Sequence, residues 1–174
     1  ISIPTDVADE NQCQALVQQA HAYYGRIDLL SNNAGMSVVG KVDELPDLRL
    51  FKQVMDVNFY GKVHCTFHAL PHLKASRGRI VNVASISGTV GTPEASAYNA
   101  SKWGLIGLTK CLAEELRPHG VQVLSVSPGS VDTEMLRRTP YPPAMTPGDV
   151  ARVIAWCASD APDAMTGANL EVFG

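Results

Sequence analysis

The sequence predicts a doubly wound α/β fold, a parallel sheet covered on both sides by helices, in a single domain over residues 1–174. Three observations predict it. Strand-like and helix-like segments alternate along the whole chain. The strand-like segments are apolar on both faces, as strands buried between two helical layers are. The unusual residues, namely Asp6 and Val7, Asn32 to Gly35, Ser85, and Pro128 with Gly129, fall where those strands end. In such sheets ligands bind at the carboxyl ends of the strands, so one rim is predicted to carry a site.

Residues 1–4 read as a short strand, and Asp6 or Asp9 stands where a helix cap is expected. In the helix that follows, Cys13, Leu16, Val17, Ala20 and Tyr24 keep the spacing of one buried face, and Gly25 stops it. Residues 27–31 form a compact apolar strand, with a loop from Asn32. Helical patterns cover 48–56 and 60–75, and Gly78 marks the turn after them. A strand over 79–84, a long helix over 97–117 and a strand over 121–127 follow, broken by Pro128 and Gly129. A proline-rich loop runs to Met145, a helix covers 148–158, and 169–173 form the last strand. No repeat, low-complexity tract or linker interrupts the order.

Composition narrows the class. A hydrophobic share of 45% with a net charge of −3 excludes a disordered chain. Lys and Arg number 14 against 17 Asp and Glu, without a basic run, so no nucleic-acid partner is expected. No apolar stretch approaches the roughly 18–20 residues that span a bilayer, so no membrane partner is expected either. The chain opens on Ile1, Ser2 and Ile3 without an initiator Met or a leader, which reads as a chain already in progress. Cys13, Cys65, Cys111 and Cys157 stand at least 46 residues apart in apolar stretches. Buried free thiols in a reducing cytoplasm are the expectation.

The chemistry rests on Ser85, on Tyr98 thirteen residues later, and on Lys102 one helical turn beyond. Tyr and Lys at i and i+4 share a helix face, with side-chain bases about 5–6 Å apart. A tyrosine titrates near pH 10, and a neighbouring ammonium favours its phenolate. The pair makes a proton donor and acceptor for a carbonyl/alcohol couple, and Ser85 can bond the same oxygen. His64, His68 and His72 have the spacing of helical metal ligands, but no Glu stands between them and Pro71 interrupts the helix. They are expected to form a surface or subunit-contact stripe, with no metal.

Tyr98, Asn99, Ala100, Ser101 and Lys102, with Ser85 upstream, resemble the active site of the short-chain dehydrogenase/reductase family. The resemblance extends to Asn32, Asn33, Ala34 and Gly35, to Asn58 after Asp56 and Val57, and to the run from Pro128 to Thr133. Asp6 with Val7, and Thr166 with Gly167, fit the same order. Within the family the pattern is most similar to 3-oxoacyl carrier-protein reductases and their broad-range relatives.

The resemblance implies a Rossmann-like sheet and hydride transfer between NAD or NADP and a small carbonyl or alcohol substrate. It implies that Tyr98 is general acid in reduction and general base in oxidation. Lys102 would lower its pKa and hold the nicotinamide ribose, Ser85 would position the substrate oxygen, and Asn58 would keep a water linking Lys102 to solvent. Asn32, Ala34 and Gly35 would line the path of the adenosine ribose. Asp6 would accept the adenine amino group, with Val7 near the ring. Pro128 and Gly129 would shape the nicotinamide floor, while Val131 backbone and Thr133 would bond the carboxamide. A homodimer or homotetramer is implied as well, built on the helices at 48–75 and 97–117, the second of which carries Ala100, Gly104 and Gly107.

Local readings stand beside these. Asp6 also suits a helix cap, Asn32 and Gly35 a turn, Asn58 a helix kink, and Arg137 with Arg138 either a solvated pair or a contact for an acidic carrier. The family's first strand, its Gly-rich turn and its second strand have no counterpart here, so residues 1–4 correspond to the third strand. The expectation is a sheet lacking the first two βα units, a fragment in which 1–4 do not pair with 27–31. A truncated, non-catalytic remnant acting only through interaction surfaces is the alternative.

Overall fold

The computed structural model describes residues 1–174, the side chain of Arg138 apart. Helix α1 (Glu10–Tyr24) is capped by Asp9, whose carboxylate accepts from the backbone N–H groups of Asn11 and Gln12. Its other end closes on Gly25, at φ 77°. Asp6 is therefore not the cap, because its Oδ1 accepts from Ala8 N at 3.0 Å in the preceding turn. Strand β1 (Leu29–Asn32) follows. Helix α2 (Arg49–Met55), a π turn (Asp56–Tyr60) and α3 (Gly61–Ser76) then run on without a break. The two helices read from the sequence are thus joined by a wider turn. Pro71 does not interrupt α3: it and Phe67, whose carbonyl loses its helical donor, are both exposed residues.

The second half alternates β2 (Arg79–Val83), α4 (Ser96–Leu116), β3 (Gln122–Pro128), α5 (Pro147–Ser159) and β4 (Asn169–Val172). The sheet is wholly parallel in the order β1-β2-β3-β4. Residues 1–4, expected as a strand, belong to no ladder, since β1 pairs only with β2. Instead the Ile1 amino group donates to the Tyr24 hydroxyl at 2.7 Å. That contact lies at the end of α1, and Tyr24, placed by its spacing on the buried face, is 59% exposed.

Neighbouring strand residues point to opposite faces, which divides the core in two. Ile80, Val121 and Val123 pack with Leu73, Ala69, Leu112, Ala113 and Leu116 on one side. Val81, Leu124 and Val126 pack with Val150, Cys157 and Ala161 on the other. Cys13, Cys65 and Cys157 are buried as expected, whereas Cys111 is exposed. It lies one and two turns from Gly107 and Trp103 on an outer face of α4 that is itself apolar, so periodicity did not separate inside from outside there. No helix among the described residues is long and apolar enough to cross a membrane.

Leu73 is fully buried where α3 meets the sheet. Leu73→Ala should cost about 2–5 kcal/mol of stability, read as a lower urea midpoint at unchanged m value.

Candidate functional site

The rim is built where β2 ends. Ser85, in extended backbone, caps the short turn Ile86–Gly88, its Oγ accepting from Ser87 N at 3.1 Å. That turn lies directly on α4. A Cβ on Gly88 would stand 2.6 Å from Ile106 Cδ1 and 2.9 Å from the Lys102 carbonyl oxygen, so only glycine fits. Tyr98 and Lys102 occupy the first two turns of α4. The Lys102 Nζ stands 5.4 Å from the Tyr98 ring centroid and donates to the Val83 carbonyl at 2.8 Å. Ser85 and Lys102 are buried and Tyr98 is half-buried. The three residues singled out by spacing do meet.

Their titration departs from the expectation. Burial pushes the Tyr98 phenol above its ordinary value, with the Ser85 hydroxyl pulling the other way. Lys102 was expected to lower it, but its ammonium is turned to the Val83 carbonyl. Burial first and the nearby Lys62 second bring Lys102 itself down to about 7.

Asn58 sits in the π turn, fully buried. Its Oδ1 accepts from Met36 N and its Nδ2 donates to Met36 O, each at 2.8 Å; Nδ2 also donates to Ser101 Oγ at 3.1 Å. The side chain thus stitches the loop after β1 to α4, and the water expected on Asn58 finds both its amide atoms engaged. A Cβ on Gly35 would lie 3.3 Å from Asn58 Oδ1 and 3.9 Å from Lys102 Nζ, which brings Ala34 and Gly35 to the same rim. Gly61 brings Val7: a Cβ there would stand 2.7 Å from Val7 Cγ2, so Asp6 and Val7 lie within a turn of Asn58. Gly129 donates to Val172 O at 2.8 Å and lies beside Ile86, which carries Pro128 and Gly129 toward Ser85.

Three predicted residues are engaged elsewhere. The Asn32 amide donates to Asn82 Oδ1 at 2.8 Å and Thr66 Oγ1 at 3.2 Å, inside the sheet–helix interface. Its side chain is therefore removed from the expected ribose path, and the loop presents Asn33, Ala34 and Gly35 to solvent instead. Val131 bridges Met145. The Thr133 hydroxyl donates to Val131 O at 3.3 Å and accepts from Leu136 N at 3.4 Å, capping its own turn rather than reaching the rim. Arg137 is exposed, and the Arg138 side chain lies outside the described residues.

The histidine stripe, partly exposed, lies against α1 and the residues that lead into it. His64 Nδ1 lies 3.2 Å from Val7 O, His68 Nε2 lies 3.4 Å from Glu10 Oε1, and His72 stacks on His21 at 4.0 Å. A residue that spacing had not singled out is Lys62, buried on α3 with its Nζ donating to Ala34 O and to Val57 O. The signal was present, since 62, 65, 66, 69 and 73 share one buried helical face.

The family model described as short chain dehydrogenase matches residues 1–142. The chain is similar to trans-4-hydroxycyclohexanecarboxylate dehydrogenase of Sinomonas cyclohexanicum, 37% identical over 176 residues, which cover 97% of this chain and 68% of the relative. Among solved structures it is similar to the 3-ketoacyl-(acyl-carrier-protein) reductase of Brucella melitensis complexed with NADH, with TM-score 0.93, 28% identity, and coverage of 100% of this chain and 77% of that one. It is also similar to ElxO with NADP bound, with TM-score 0.88, 31% identity, and coverage of 97% and 75%. The chain spans between about half and three quarters of the length of curated relatives that it matches.

Two buried lysines with lowered pKa give a pH signature. Lys102 titrates near 7 and Lys62 near 8, so the folded chain releases these protons while the unfolded chain still holds them. The unfolded state then binds more protons, and these two groups raise stability with pH, by roughly 2 kcal/mol per unit between pH 7 and 9. From about pH 8 upward Cys13, Cys65 and Cys157, whose thiols are pushed up by burial from an ordinary value near 9, oppose the rise. Urea unfolding at pH 7, 8 and 9 checks it, and a flat or falling series would contradict it.

Proposed function

This chain belongs to the short chain dehydrogenase family, and on that premise we propose that it moves a hydride between NAD or NADP and a small carbonyl or alcohol substrate, with Tyr98 as acid and base. The meeting of Ser85, Tyr98 and Lys102 at the carboxyl rim is the observation that carries this reading. The raised pKa keeps Tyr98 protonated at neutral pH, the form that a proton donor to a carbonyl oxygen needs. Ser85 adds a hydroxyl for the same oxygen. Lys102, spending one donor on Val83, has two left for hydroxyl groups. Asn58, bonded to Met36 and Ser101, keeps the wall behind Lys102 in register.

The residues present fit a nicotinamide cofactor. Gly35 and Ala34 are exposed beside Lys102, Asp6 exposes its carboxylate with Val7 behind it, and Gly129 offers bare backbone near Ser85. Asp6, Val7, Ala34, Gly35, Lys102, Pro128, Gly129 and Val131 backbone would hold it, with Asn32 and Thr133 supporting their loops. Such a cofactor supplies or accepts the hydride, leaving placement and proton transfer to the protein. The buried thiols of Cys13, Cys65 and Cys157 suit a reducing cytoplasm.

Tyr98→Phe removes the proton and little volume. Turnover should fall by at least ~10²-fold while cofactor binding, followed by nicotinamide fluorescence, persists. Near wild-type turnover would overturn the assignment.

Assembly is part of the same proposal. Tyr60 (49% exposed), Phe67 (64%) and Trp103 (54%) stand on the outer faces of the α2–α3 rod and α4. Gly104 is packed against Phe59 of its own chain, which leaves Ala100, Gly107 and Cys111 as the small outward residues of α4. A homodimer or homotetramer that pairs these faces about a two-fold axis would cover the aromatic residues. Light scattering should find such an oligomer, and Trp103→Glu should shift it toward monomer. A concentration-independent monomer before substitution would contradict the assembly.

A further inference from the structure

Lys62 is the largest of the fully buried side chains among the described residues. It rides on α3 in the stripe that includes Cys65, Thr66 and Ala69. Its ammonium donates to Ala34 O and, at 3.1 Å, to Val57 O. None of the ion pairs among the described residues involves it. The groups that face it are the Cys65 thiol on its own helix, Lys102 from α4, and, behind Cys65, the Cys13 thiol of α1. The interior polar groups of β1 and β2 nearby, Asn32 and Asn82, are neutral amides bonded to each other. A buried cation without a carboxylate is costly, and an apolar side chain would fill the same space without that cost.

Its position gives the charge something to act on. Lys62 holds the carbonyl of Ala34, while a Cβ on the next residue, Gly35, would lie 3.9 Å from Lys102 Nζ. Two ammonium groups thus reach the same two residues of backbone. Val57, the other carbonyl that Lys62 grips, directly precedes Asn58, and Asn58 bonds Met36 directly after Gly35. Both sides of that junction are therefore tied to one Nζ.

We propose that Lys62 is a positioning residue of the site: it clamps the Asn33–Gly35 loop to the π turn that carries Asn58, and it lends a second positive charge to the Tyr98–Lys102 pair. This rests on the reading of Tyr98 and Lys102 given above. A positive charge beside Lys102 disfavours the Lys102 ammonium and favours the Tyr98 phenolate. The lowered Lys102, for which burial is the larger cause and Lys62 the second, agrees in sign.

The test is lysine Cε NMR titration of the full chain labelled with ¹³C-lysine, in the wild type, Lys62→Met and Lys62→Arg, alongside the pH profile of alcohol oxidation. In Lys62→Met the Lys102 midpoint should rise by about one pH unit, and the acid limb of oxidation should move the same way. Lys62→Arg keeps the charge and should leave both near their wild-type positions. A Lys102 midpoint identical in the wild type and Lys62→Met would overturn the proposal whatever the turnover. If Lys62→Met does not fold, the wild-type curve decides. Two coupled inflections for Lys62 and Lys102 support the proposal, and independent titration at ordinary lysine values overturns it. A midpoint that moves in a chain inactive with both nicotinamides supports the coupling and overturns the functional reading instead.

Discussion

The bond from the Lys102 ammonium to the Val83 carbonyl, made in the interior at the end of β2, is the constraint on which the rim depends. A buried ammonium must keep its acceptor, because losing it leaves an unpaired charge away from water. That requirement fixes how α4 is rotated on the sheet. Tyr98, one turn earlier on the same face, then projects toward Ser85, two residues beyond Val83. The contact of Gly88 with the Lys102 carbonyl enforces the same seating from the other side. Two unrelated requirements, one polar and one steric, agree on a single position of the helix.

Behind this lies a second polar layer. Asn32 bonds Asn82 and Thr66, Asn82 bonds Thr109 at 2.9 Å, and Asn169 receives the hydroxyls of Ser125 and Ser127, each at 2.7 Å. The first chain links β1 and β2 to α3 and α4, and the second links β3 to β4. A fully bonded buried network has few alternative arrangements, whereas apolar packing tolerates sliding. This layer fixes the height of each strand end, so the loops that follow β1, β2 and β3 open at one level. Asn32 serves the site by holding the sheet.

Much of this was legible in the sequence, and the misses share a cause. Strands apolar on both faces announced a parallel sheet between helices, and β2 through β4 appear within about a residue of where their patterns placed them. Ser85, Tyr98 and Lys102 were readable because their spacing carries chemistry whatever surrounds it. Residues 1–4, Tyr24 and Cys111 were misread because a local pattern does not say what lies opposite it. The join at Asn58 escaped because a π turn changes the helical period that such readings assume. Lys62 escaped because lysine is ordinarily a surface residue, although its position on a buried stripe contradicted that habit.

The electrostatics complete the mechanism on the proposed reading. Burial alone holds Tyr98 protonated, which suits reduction but obstructs oxidation, where a phenolate must form in a site that penalises an anion. The Ser85 hydroxyl relieves part of that penalty, and a nearby cation relieves more. A surface lysine would supply one at any neutral pH but would be screened by water; Lys102, buried, titrates near 7 and turns its ammonium to the Val83 carbonyl. The same burial therefore raises the phenol and lowers the ammonium, and it draws apart two proton affinities that are nearly equal in water. A proton passes readily between groups of similar affinity and stalls between groups far apart, so the resting pair keeps its proton on Tyr98. The desolvation of Tyr98 and Lys102, unfavourable to each charged group alone, thus sets the resting site for proton donation and leaves the phenolate of the oxidative direction dependent on a neighbouring donor or positive charge.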